Sequence, residues 1–136
     1  MQELAPKLSA VLIVKNESET IEKCLRSILP AVDEIIVADT GSTDNTASIA
    51  ASCGARVISF SWNNSFADAR NSTIKEAKGD FIIWFDADDI LPDESVAPLR
   101  TLLETDASAW TMVVENLYEN RRGESFRQIR LFPNRK

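Results

Sequence analysis

Histidine is absent from this chain of 136 residues, which removes Ser-His-Asp and Cys-His catalysis and any histidine-ligated zinc site. An acid or base here must be a carboxylate. Glycine is scarce, four residues in all, and none falls into a Walker A or G-x-G-x-x-G pattern, so neither a P-loop nor a dinucleotide fingerprint is available. The two cysteines, Cys24 and Cys53, each sit in a helix-like pattern and are expected to be buried reduced thiols rather than a disulfide or metal site. No apolar run approaches the roughly 20 residues needed to cross a bilayer, and the opening MQELAPKLS lacks the basic-then-apolar layout of a signal peptide. These absences predict a cytoplasmic protein without a transmembrane segment.

What is present suits one soluble globular domain, with 44% hydrophobic and 26% charged residues. The net charge of −6 is unevenly spread. Residues 121–136 hold Arg121, Arg122, Arg127, Arg130, Arg135 and Lys136 against Glu124 alone, so the body is more acidic than the total suggests and the tail is basic. An acidic body argues against a nucleic-acid partner, although a basic tail could still meet phosphate.

Short apolar runs alternate with helical spacings along the chain. Ser9 to Asn16 reads as a strand, followed by a helix with Ile21, Cys24, Leu25 and Ile28 on one face. Asn16 with Glu19 resembles a capping box, and Pro30 stops the helix. Glu34 to Thr40 is a second strand, then a helix capped by Ser42 or Thr43 and ended by Gly54, with Ala47, Ala50 and Ala51 facing inward. Ala55 to Phe60 is a third strand, and ADARNSTIKEAKG a helix with Ala69, Thr73 and Ala77 on one side and Gly79 at its end. A fourth strand begins at Phe81, and a helix follows with Val96, Leu99, Leu102 and Leu103 on its apolar face and Pro98 in its first turn. AWTMVVENLY and ESFRQIRLF read as two further strands. The alternation predicts right-handed βαβ units and a mainly parallel sheet covered on both faces, with ligands bound outside the carboxyl ends of the strands.

The fourth strand runs straight into FDADD, placing Asp86, Asp88 and Asp89 within four residues. Like charges ~4 Å apart repel by about 1 kcal/mol in water and about 4 kcal/mol at an effective dielectric near 20. Alternation along extended chain would turn Asp86 and Asp88 to one side and Asp89 to another, a two-pronged oxygen site suited to a hard divalent cation. The competing reading has Asp88 or Asp89 capping the helix near Pro92. Asp39 ends a neighbouring strand just before Gly41, where it can accept from a nucleobase or ribose, or close the strand with an Asx turn. An EF-hand fails because Leu91 and Ala97 stand where Gly and Glu belong. A haloacid-dehalogenase-like phosphatase with Asp86 as phosphoryl acceptor remains an alternative, with Ile90 where that motif has a hydroxyl or valine.

Four stretches, in order, carry a resemblance: SAVLIVKNESETIEKCLRSI, DEIIVADTGSTDNTASIA, FADARNSTIKEAKGDFIIWFDADD and IRLFPNRK. Together they resemble the N-terminal half of a family 2 glycosyltransferase. The resemblance implies a Rossmann-like GT-A fold, a three-layer α/β/α sandwich with a mainly parallel sheet. It implies a nucleotide-diphosphate-sugar donor, with Asp39 at the nucleoside, Lys15 and Arg70 near the base or diphosphate, and Asp86 and Asp88 as the Asp-x-Asp pair that binds Mg²⁺ or Mn²⁺ with the diphosphate. It implies transfer, with inversion, to a saccharide, lipid or protein acceptor. An inverting member needs a carboxylate base, and Glu115, Glu119 and Glu124 stand outside any matching context. Residues 1–136 are thus expected to form a single GT-A domain truncated on the acceptor-binding side, either as part of an enzyme or as a non-catalytic donor-binding module. Arg127 and Arg130 are left with two readings, outward charges on an edge strand or phosphate contacts.

Overall fold

The computed structural model describes residues 5–105, 109–118 and 121–135. Six strands form one sheet: β1 (Leu8–Val14), β2 (Glu34–Asp39), β3 (Arg56–Ser59), β4 (Phe81–Trp84), β5 (Trp110–Tyr118) and β6 (Arg121–Pro133). Their order is β3-β2-β1-β4-β6-β5. The first four are parallel, while β6 pairs antiparallel with both β4 and β5. The helices are α1 (Ile21–Ile28), α2 (Thr46–Ser52), α3 (Phe66–Glu76) and α4 (Val96–Leu102).

The alternation of side chains along β1 explains the layers. Leu8, Ala10, Leu12 and Val14 pack with Ile21, Cys24, Leu25 and Ile28 of α1, Ala50 of α2 and Leu99 of α4. Val11 faces the opposite way, in a cluster with Ile36, Ile82, Trp84 and the α3 residue Ile74. The result is the expected three-layer α/β/α sandwich, with β1 buried on both faces as a central parallel strand should be. Each large aliphatic side chain buried in this way contributes about 1.5–3 kcal/mol, so the face of α1 alone accounts for its docking.

The chain leaves β1 toward β2 and β3 on one side, then returns through α3 to place β4 on the other side of β1. Strand order therefore reverses between β1 and β4, and a crevice opens at their carboxyl ends.

Several local expectations are corrected. Asn16 makes no capping box: its φ is 53°, the helix starts after Thr20, and its side chain is used elsewhere. Neither Ser42 nor Thr43 caps α2, whose N-cap is Asn45. Ala51 is exposed, and the buried positions of that helix are Thr46 and Ala50. β6 is not an edge strand, because β5 lies outside it.

Gly79 does not cap α3 either. The helix closes at Ala77, and Gly79 is instead a point of close approach, where an added Cβ would lie 2.5 Å from Ser9 Oγ and 2.9 Å from Ser9 N. Gly79→Ala is therefore expected to lower stability by about 1–3 kcal/mol through overpacking. Thermal denaturation of the variant against the parent checks this, and an unchanged midpoint would show that the two segments can separate freely.

Candidate functional site

The apolar run of β4 ends at Trp84, and the chain then turns rather than continuing extended. Asp89 N donates to Asp86 O at 3.0 Å, while Asp86 N donates back to Asp89 Oδ2 at 2.7 Å. This turn cancels the alternation expected of a strand. Carboxylate oxygens of Asp86, Asp88 and Asp89 consequently lie within 4.8 Å of one another, so Asp89 joins the pair instead of pointing away. None of the three caps the following helix: the short 3₁₀ turn at Asp93–Ser95 begins at Pro92 without a side-chain cap. Partial desolvation pushes the Asp86 carboxyl above the ordinary range, the charges of Asp89 and Asp88 add to the rise, and Arg130 and Arg70 oppose it. An all-oxygen donor set, clustered and electrostatically strained, fits a hard divalent cation.

Arg130 is the main feature that sequence reasoning left undecided. It is only 4% exposed and forms ion pairs with Asp89 and, at 3.8 Å, with Asp86. Its guanidinium also donates to Gln128 Oε1 at 3.0 Å and lies 4.1 Å from the centroid of the Trp84 ring. Arg127 is exposed by contrast. The guanidinium of Arg70, on α3, lies 4.2 Å from the same ring centroid and has no ion-pair partner among the described residues. Arg70 borders a small cavity of about 70 Å³ together with Phe66, Thr73, Phe85 and Asp86. On the far side of the turn, a larger cleft of about 670 Å³ is lined by Asp88, Asp89, Leu91, Met112, Glu115 and Arg130 among others.

Of the two readings offered for Asp39, the structure shows the Asx turn. Its Oδ1 accepts from Gly41 N at 2.8 Å and Ser42 N at 2.7 Å, an Asx turn that lets Gly41 adopt a φ of 118°. Its Oδ2 is buried and has no hydrogen-bond partner among the described residues. A buried acceptor without a donor is unusual, because leaving one unmatched costs about 1–3 kcal/mol. Lys15 is exposed at the end of β1 and makes no hydrogen bond or ion pair with the described residues.

The loops after β1 and β2 are stitched together by polar residues whose purpose the sequence did not disclose. Asn16 N donates to Ser42 Oγ at 2.9 Å, Thr43 N to Asn16 Oδ1 at 2.7 Å, and Glu17 N to Thr46 Oγ1 at 2.8 Å. Asp44 also accepts from Thr46 and Ser18, and these hydrogen bonds hold its carboxyl down at about 2. The GSTDNT stretch thus pins the crevice wall. Glu115 is exposed on β5. Glu119 lies outside the described residues, as does the side chain of Glu124.

Cys24, on α1, donates its thiol to the carbonyl of Asp86 at 3.4 Å, tying the acidic turn to the helix beneath it. Both cysteines are free, and Cys24 is buried. Burial, followed by the charges of Asp89, Asp88 and Asp86, pushes the Cys24 thiol from 9.0 up to about 12. Below pH 9 the thiol is protonated in folded and unfolded chains alike. Between these two values the unfolded chain releases the proton and the folded chain keeps it, so stability falls as pH rises through that window. Denaturant melts at stepped alkaline pH should show this loss in the parent and a smaller one in Cys24→Ala; equal slopes would refute it.

The fold is a mainly parallel α/β sandwich with carboxylates gathered at the switch point of its sheet, where folds of this class bind ligands, and the comparisons with known proteins narrow the class. The model for "Glycosyl transferase family 2" matches residues 9–135, and the chain belongs to that family. A TPR repeat-containing protein of Synechococcus elongatus is 40% identical over 130 residues, covering 95% of this chain and 32% of that protein. The glycosyltransferase SunS of Bacillus phage SPbeta is 36% identical over 105 residues, covering 73% of this chain and 25% of SunS. Glucosyl-3-phosphoglycerate synthase from Mycobacterium tuberculosis, solved with UDP, superposes with a TM-score of 0.64 at 32% identity over 85% of this chain and 46% of that one. The same enzyme has been crystallised with Mn²⁺ and UDP-glucose. The fold is therefore the expected GT-A arrangement. The chain spans about a third or less of the length of these curated relatives. Among the described residues, no helix is long and apolar enough to cross a membrane.

Proposed function

We propose that this chain binds a nucleotide-diphosphate sugar across the carboxyl ends of β1, β2 and β4, and forms the donor side of a glycosyltransferase. The observation that carries the reading is the buried, unmatched Oδ2 of Asp39 on the same sheet edge as the acidic turn. Asp39 accepts from the nucleoside. Arg70, steadied on Trp84 with its donors uncommitted, and the exposed Lys15 meet the diphosphate. Asp86 and Asp88 hold Mg²⁺ or Mn²⁺ against it. A divalent cation there supplies positive charge that stabilises the departing nucleoside diphosphate. The synthase that this fold resembles, crystallised with Mn²⁺ and UDP-glucose, supports the donor class.

In this reading residues 1–136 are the donor-binding portion of a longer inverting enzyme, and the proton of the acceptor hydroxyl passes to a carboxylate base. Free Cys24 and Cys53 are in keeping with a reducing, cytoplasmic setting. Calorimetry of UDP with the chain tests the proposal: binding is expected with Mn²⁺ or Mg²⁺ and lost with a chelator. No binding under either metal would overturn it, and a phosphoaspartate trapped at Asp86 with a phosphomonoester would favour the phosphatase instead. Turnover of a UDP-sugar with a library of acceptors separates an enzyme from a binding module.

A further inference from the structure

We propose that Arg130 is a built-in counter-ion of the acidic turn that opposes binding of a bare divalent cation and favours the cation when it arrives with a diphosphate. The inference rests on the donor-binding reading above.

Several observations fix the guanidinium in place. It is buried to 4% exposure, ion-paired with Asp89 and Asp86, stacked near Trp84, and engaged with Gln128 and the Trp84 carbonyl. A charge so enclosed does not swing away, since moving it would leave Asp89 unpaired and part of its own donor set unmatched. Yet it borders the 670 Å³ cleft beside Asp88 and Asp89, so its field reaches whatever enters there.

The sign of that field gives the consequence. A bare Mn²⁺ approaching Asp86 and Asp88 meets a fixed positive charge that already partly satisfies the carboxylates, and is repelled. The complex of Mn²⁺ with UDP is net negative, and the same charge attracts it. One residue thus moves the two affinities in opposite directions, which is thermodynamic coupling between cation and diphosphate. Ordinary structural damage cannot imitate this pattern, because a disordered turn weakens both.

The test titrates Mn²⁺ alone into the whole chain, following free Mn²⁺ by electron paramagnetic resonance, and then UDP at saturating Mn²⁺ by calorimetry. It compares the parent with Arg130→Met, Arg130→Gln and Arg130→Lys, with circular dichroism as the fold control. The neutral variants are expected to bind bare Mn²⁺ about tenfold tighter and Mn²⁺-UDP about tenfold weaker, with Arg130→Lys close to the parent. A folded neutral variant whose bare Mn²⁺ affinity is unchanged or weaker overturns the proposal. Should neither neutral variant fold, the parent decides: UDP must tighten Mn²⁺ binding by about tenfold or more, and a smaller effect refutes the coupling. A parent that binds no Mn²⁺-UDP at all would instead refute the donor-binding reading itself.

Discussion

Asp88→Ala is expected to reduce Mn²⁺-dependent UDP affinity by at least about 100-fold, because loss of a direct cation ligand should exceed the 10- to 100-fold cost of disturbing residues behind the ligands. The variant is clean for a structural reason. Asp88 is exposed and its side chain makes no hydrogen bond with the described residues, whereas Asp89 accepts from Asp86 N and Arg130. Removing Asp88 also removes a repulsion within the cluster, so the melting temperature should stay level or rise slightly. Calorimetry with and without Mn²⁺, beside a thermal melt, reads both quantities. Retained metal-dependent binding in Asp88→Ala would mean that the acidic turn holds no cation, and the assignment of Asp86 and Asp88 would fail.

A second large effect is expected at Asp39. Asp39→Asn keeps an oxygen for Gly41 N and Ser42 N, so the turn after β2 survives. It places an amide NH₂ where the unmatched Oδ2 lies, facing a donor on the ligand with another donor. A hydrogen bond to a charged acceptor contributes about 1.5–3 kcal/mol, so UDP should bind roughly ten- to 150-fold more weakly. Binding of Mn²⁺ alone should not change, because Asp39 is not part of the acidic turn. An equal loss of metal and nucleotide binding would point to general damage, and an unchanged UDP affinity would leave the orphaned oxygen with no ligand.

How far these residues could be read in advance depended on how local their determinants are. The continuous apolar runs of β1, β2 and β4, and the helical face Ile21, Cys24, Leu25 and Ile28, were legible because burial on both faces of a parallel sheet leaves a mark in every residue. Asp39 and Asp86 were legible as residues standing just past such runs. Arg130 was not. Ile129 and Leu131 share the face opposite Arg130, so alternation alone turns Arg130 outward, yet the structure exposes Ile129 at 56% and buries both Arg130 and Leu131. Arg130 is enclosed by the Trp84 ring and carbonyl and by Asp89, 41 to 46 residues earlier in the chain, partners that no local pattern announces. Asp89 was misplaced for a related reason: alternation holds only while the chain is extended, and a hydrogen-bonded turn ended it one residue past Phe85.

By itself, then, the amino-acid order determined the α/β layering, the strands that carry the crevice, the lack of any histidine among these residues, and the presence of several acids at strand ends. These follow from periodicity and residue type, which act over a few neighbours. Only the tertiary structure decided that three carboxylates converge, that one oxygen of Asp39 stays unmatched, and that a basic residue from the last strand neutralises part of the acidic turn. Those outcomes depend on contacts between segments tens of residues apart, and the Coulomb energies involved change steeply over a few ångströms that no local pattern specifies.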